Sequence, residues 1–246
     1  MIHIDSIRRI SATLLFSCTL AFAMNAIAPT TASAQGGPVV IIGIDPEQGM
    51  PGMHGPVSAY RSILDQMISQ TSNSGTGIAV IGSDAPATNV TNLWNAVANQ
   101  APAIPITHIS GPAAINALNF NLYKVVVVAS DYRNVINGVT PQEWTALMNR
   151  KPALRQFVNC GGGVYAMCAP DNQSNWYNFL TFPTSGSVAY QTVLGGFPAN
   201  TNNSTLTAAA TTYGYAAGLN ALRTSTSDLW HNRYTSFPAS LSPLFV

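Results

Sequence analysis

Residues 154–170 read LRQFVNCGGGVYAMCAP. Leu154, Phe157 and Val158 recur at helical spacing, and the glycines at 161–163 end that helix, with Gly161 suited to a left-handed stop. Val164, Tyr165, Ala166 and Met167 follow as a short apolar run, which predicts a buried strand with Cys168 at its far end. In an open α/β sheet, strand carboxyl ends and helix N-termini converge on one crevice and point backbone N–H groups into it. Cys168 therefore marks a candidate site as well as a fold.

The preceding chain repeats the alternation. Short β-branched runs at 39–44, 77–82, 104–109 and 124–129 predict four more strands, and the four consecutive valines of the last suit a central parallel strand covered on both faces. Between them, Val57, Tyr60, Leu64, Met67 and Ile68 form a helical stripe that opens at Pro56 and stops at Asn73-Ser74-Gly75. Val90, Leu93, Trp94 and Val97 form a second stripe behind Thr88 as cap, and 112–118 a short third helix. Thr140-Pro141-Gln142-Glu143 is a capping box that opens a helix which Pro152 interrupts or restarts. Repeated units of this length imply a doubly wound, mainly parallel α/β sheet. Beyond residue 170 the pattern weakens into a less regular C-terminal extension. There 172–180 reads as helical, 188–194 as an outer strand, 200–205 as a surface loop and 206–215 as helix or loop.

Arg8 and Arg9 precede an apolar run and Ala32-Ser33-Ala34, the pattern of a signal peptide over 1–34 that leaves a single domain at 35–246, secreted or periplasmic. The alternative is a lipoprotein site with Cys18 lipidated. No later segment is long and apolar enough to span a bilayer. Removing Asp5, Arg8 and Arg9 leaves eight acidic and eight basic side chains, so the chain carries no electrostatic footprint for nucleic acid. No GxGxxG or phosphate-loop pattern follows a predicted strand, so nothing in the sequence points to a nucleotide cofactor, and the identity of any other cofactor is unknown from it. Oligomeric state is not legible. If 164–167 is extended at about 3.3 Å per residue, Cys160 and Cys168 lie beyond the ~7 Å reach of a disulfide, which predicts two free thiols. Cys160, at a helix end, reads as a buried structural residue.

YKVVVVASD at 123–131, TPQE at 140–143 and LRQFVNCGGGVYAM at 154–167 together resemble the class I glutamine amidotransferase-like superfamily, particularly its ThuA-like and DJ-1/PfpI-like branches. The resemblance implies a flavodoxin-like architecture and a cysteine on a strand-to-helix turn, a place that Cys168 fills between Ala166 and Pro170 without the usual glycines. It also implies a downstream His followed closely by Glu. Here the downstream histidine is His231, in Trp230-His231-Asn232-Arg233, and no glutamate follows Glu143. Glutamine hydrolysis is therefore not expected.

Five of the eight remaining carboxylates fall on predicted strand ends: Asp45, Glu47, Asp84, Asp131 and Asp171. They are candidates for one ligand-binding rim, with Ser130 and Tyr132 flanking Asp131, and also plain turn formers and caps. His54, in the Gly- and Met-rich loop after the first strand, comes within reach of Asp45 and Glu47 if that loop folds back. The spacing matches no metal motif, and loop anchoring outranks cation binding there. His108, inside a predicted strand, reads as a satisfied edge or core histidine. Cys168 has two readings: a nucleophile assisted by His231 and Asp131, or a small buried hydrophobe. The aromatic-rich last third, with Trp176, Tyr177, Tyr190, Tyr213, Tyr215, Trp230 and Tyr234 among Asn and Thr, suits a glycan as readily as a core. The functions expected are a cysteine-dependent hydrolase at this crevice or, alternatively, a non-catalytic module for a small-molecule or glycan ligand or an interaction partner.

Overall fold

The computed structural model describes residues 2–4, 36–82, 88–133, 135–168, 175–198, 205–225 and 229–244, with backbone alone for 2–4, 192–198 and 229–231. Five parallel strands form its centre: β2 (Val39–Ile42), β3 (Ile78–Ile81), β4 (Ile106–Ile109), β5 (Val125–Val128) and β6 (Gly163–Met167). They lie in the order β4-β3-β5-β6-β2. β1 (Ile2–Ile4) and β9 (Leu241–Pro243) extend the sheet beyond β2, each antiparallel to its neighbour. Every residue of β2, β3, β5 and β6 is buried, as unbroken apolar runs require. β4 is the edge strand of the parallel set and alternates in exposure.

Counted from β3, the parallel strands run 2-1-3-4, and the fifth place is taken by β2, which precedes them all in the chain. The order is that of a flavodoxin-like sheet whose last strand comes first. The reversal of direction, where such sheets open a crevice, falls between β3 and β5.

The helices are α1 (Val57–Gln70), α2 (Asn89–Ala98), α3 (Pro112–Ala117), α4 (Pro141–Asn149), α5 (Lys151–Asn159), α6 (Ala208–Thr212) and α7 (Ala216–Arg223). Right-handed crossovers with this strand order put α1 and α2 on one face of the sheet and α3 to α5 on the other. The packing agrees, since α1 lies against α2 and α7, while α3 lies against α4. Thr88 caps α2 by accepting from Thr91 N–H. The capping box at α4 is complete, and Glu143 does more than its motif requires: Oε2 accepts from Thr140 N–H at 2.8 Å, and Oε1 from Gly111 N–H at 2.7 Å, fastening the start of α3 to that of α4. Gly161 ends α5 at φ 89°, where a side chain would be strained.

Two expectations for the C-terminal part, and one for Cys160, need correction. The strand at 188–194 does not join the main sheet; β7 (Ala189–Pro198) pairs antiparallel with β8 (Leu229–Ser236) as a separate ribbon. Of the helix expected at 172–180, residues 172–174 lie outside the described residues, and the described part is a single 3-10 turn, Trp176–Phe179. Cys160 is exposed, not buried, because the residue that caps the end of α5 faces solvent. Both Cys160 and Cys168 are free thiols, as expected. Among the described residues no helix is long and apolar enough to cross a membrane.

Candidate functional site

β2 delivers its chemistry just past its end. Glu47, fully buried, accepts a hydrogen bond at Oε1 from Trp94 Nε1 of α2 (3.0 Å) and at Oε2 from Ser130 Oγ beyond β5 (2.8 Å). Burial pushes its carboxyl up to about 7, against the pull of the Trp94 and Ser130 hydrogen bonds, and the nearby Asp45 charge adds to the rise. A carboxyl poised there exchanges a proton at neutral pH. Asp45 is also buried, with Oδ1 at 3.9 Å from His54 Nδ1. The loop carrying His54 is held down by Tyr60 of α1, whose hydroxyl donates to the His54 carbonyl.

β5 contributes the neighbouring group. Asp131 is buried and clamped by one residue: Oδ1 accepts from Arg133 N–H (2.9 Å) and Nε (3.0 Å), and Oδ2 from Arg133 Nη2 (2.6 Å). The loop then closes on itself, with Val139 N–H donating to the Ser130 carbonyl and Tyr132 N–H to the Val139 carbonyl. Tyr132 itself stands 43% exposed on the rim. Asp131 thus combines loop anchoring with a place beside Glu47's partner Ser130.

Cys168, at the tip of β6, has no exposed surface. Its backbone N–H faces the Ile44 carbonyl across the β2–β6 pair at 3.4 Å. Asn232 covers it from the other side, donating from Nδ2 to the Cys168 carbonyl at 2.9 Å and lying 3.4 Å from Sγ. Asn232 reaches this position because β8 runs along the tip of β2, where Asn232 N–H donates to the Gly43 carbonyl at 3.1 Å. A Cβ on Gly43 would lie 2.5 Å from the Asn232 carbonyl oxygen, so the approach requires glycine. Burial raises the Cys168 thiol well above its ordinary value; the nearby Tyr177 and Tyr190 phenols pull the other way, and the charges of Asp131 and Asp45 reinforce the rise. The sulfur is a protonated thiol under a lid of amide and phenol. Tyr177 is locked in turn, its hydroxyl donating to the Ile42 carbonyl at 3.2 Å and lying 2.7 Å from the Tyr234 hydroxyl.

The topology therefore brings Asp45, Glu47, Ser130, Asp131 and Cys168 to one end of the sheet, with His54 beside Asp45 and Tyr132 above. Asp84 and Asp171 lie outside the described residues. His231 belongs to β8, but its side chain is likewise outside the description, and the β8 residue that meets Cys168 is Asn232. Among the described residues no three His, Cys, Asp or Glu side chains are grouped so as to hold a metal ion. His108 is a half-buried edge histidine, with Nε2 2.9 Å from Asn95 Oδ1. Of the aromatic residues of the last third, Trp176, Tyr177 and Tyr215 are core.

Sequence reasoning missed Trp94, Arg133 and Asn232 as members of the site. Trp94 was legible only as a core residue of a helical stripe. Arg133 had a signal, since a cation two residues after a strand-end aspartate is placed to clamp it. Asn232 had none, because its position depends on β8 lying against β2. No protein family, curated protein or solved structure matches this chain.

Proposed function

We propose that this chain is an exported α/β ligand-binding module, a divergent relative of the amidotransferase-like proteins that has given up thiol chemistry. Its ligand is a small uncharged polyol or glycan held at the carboxyl end of the parallel sheet. The observation that carries the non-catalytic half of this reading is the state of Cys168. A nucleophilic cysteine needs a thiolate and access to substrate, and this sulfur has neither.

The binding half is supported by position. The buried Glu47–Ser130 hydrogen bond ties the loops after β2 and β5 together beneath the strand ends, where doubly wound sheets take their ligands, and so fixes the rim above it. Tyr132 stands exposed in the loop after β5, as does Ile136 in the same loop and Met50 and Met53 in the loop after β2, a set of exposed apolar groups suited to the apolar face of a sugar ring. A near-neutral chain with few charges suits an uncharged ligand.

A glycan array read with the wild-type chain and with Cys168→Ala tests both halves. Binding that survives Cys168→Ala and falls with Tyr132→Ala supports the reading. An ester or amide hydrolase activity that Cys168→Ala abolishes would overturn it.

A further inference from the structure

Odd-numbered residues of β2 turn their backbone groups away from β6. The Pro38 and Ile44 carbonyls accept from Val164 and Cys168 on the β6 side, and alternation along a strand points Val39, Ile41 and Gly43 to the opposite edge. The Gly43 carbonyl agrees, being taken there by Asn232 N–H of β8. The remainder of that edge is covered by β1, which sets Ile2 opposite Ile41 and His3 opposite Val40. On its far side β1 sets Ile2, His3 and Ile4 opposite Pro243, Ser242 and Leu241 of β9.

β2 and β9 are thus the two walls of a slot one strand wide, both antiparallel to the strand that fills it. The β2 wall is buried on both faces. An empty slot would leave the Ile41 N–H and carbonyl unmatched beside an apolar interior, which a folded chain avoids. Yet the filling strand lies within residues 1–34, the segment whose composition is that of a removable leader.

We propose that the slot between β2 and β9 is a strand-acceptor site. Its occupant in the processed protein is an extended apolar-polar-apolar segment of a partner polypeptide, lying antiparallel to both walls as Ile2-His3-Ile4 does here. Main-chain hydrogen bonds supply the affinity, and the alternate apolar positions supply the selectivity. The inference rests on removal of residues 1–34 and is independent of the crevice, whose ligand is read by separate assays.

The test uses the full chain carrying Ile2→Pro and His3→Pro, which removes the N–H groups that face Ile41 and Ser242. Amide exchange at Ile41 is followed with and without a synthetic peptide of residues 1–6, and with the same peptide carrying proline at its second and third positions. The expected result is exchange at Ile41 faster by about tenfold or more in the variant, restored by the natural peptide and not by the proline peptide. Unchanged protection of Ile41 in the variant would overturn the proposal, because it means that β9 or another segment has closed on β2. So would fast exchange that the natural peptide leaves untouched. If the double variant does not fold, Ile2→Pro alone gives the same reading, since it removes only the donor aimed at Ile41.

Discussion

Ser130 and Glu47 stand 83 positions apart in the chain and share a 2.8 Å hydrogen bond, the link that ties the loop after β2 to the loop after β5. Trp94 binds the other carboxyl oxygen, so one side chain holds three elements together. The arrangement places an acid where water cannot reach it.

Glu47 should make the protein less stable as pH rises. Its carboxyl moves from 4.5 to about 7 on folding. Below the lower value it is protonated in both states and costs nothing. Between the two the unfolded chain ionises first, so stability falls, by roughly 3 kcal/mol in all once pH passes the upper value. Glu47→Gln should flatten this slope, which urea midpoints at pH 5 and pH 8 will read. Equal slopes in the two chains would show that Glu47 is not the titrating group.

The two thiols should differ sharply in reactivity. Cys160 is exposed and Cys168 is covered. Iodoacetamide at neutral pH, followed by peptide mass mapping, should modify Cys160 within minutes and Cys168 only in denaturant. Rapid labelling of both would contradict the seal over β6.

That seal is Asn232. Removing its amide with Asn232→Ala leaves the buried Cys168 carbonyl without its side-chain donor and should cost about 1–3 kcal/mol. Gly43→Ala should cost at least as much, because its methyl group would strike the Asn232 carbonyl and push β8 off the tip of β2. Both variants should speed alkylation of Cys168. A destabilised chain in which Cys168 stays protected would assign the loss to some other contact.

Glu143 gives a fourth check. Thr140→Ala removes the cap of α4 and should cost about 1 kcal/mol. Glu143→Ala should cost more, since it also frees Gly111 N–H at the start of α3. Equal losses in thermal unfolding would mean that the tie to α3 carries no energy.

Caps, stops and buried strands were readable from the chain because each is a short-range pattern. Thr88 before its stripe, the box at Thr140 and Glu143, Gly161 after α5 and the valines of β5 all stand in the structure where local spacing put them. The ends of three strands, β2, β5 and β6, were also enough to gather Asp45, Glu47, Ser130, Asp131 and Cys168 on one rim, since a parallel sheet points all its carboxyl ends the same way. Tertiary structure alone decided which strand lies beside which, and with it the placing of β2 next to β6 and of β8 along the tip of β2. It also decided the state of each group: a carboxyl titrates near neutrality and a thiol stays protonated because of what covers them. That cover comes from Trp94, Tyr177 and Asn232, residues whose distance along the chain leaves no local trace of the contact.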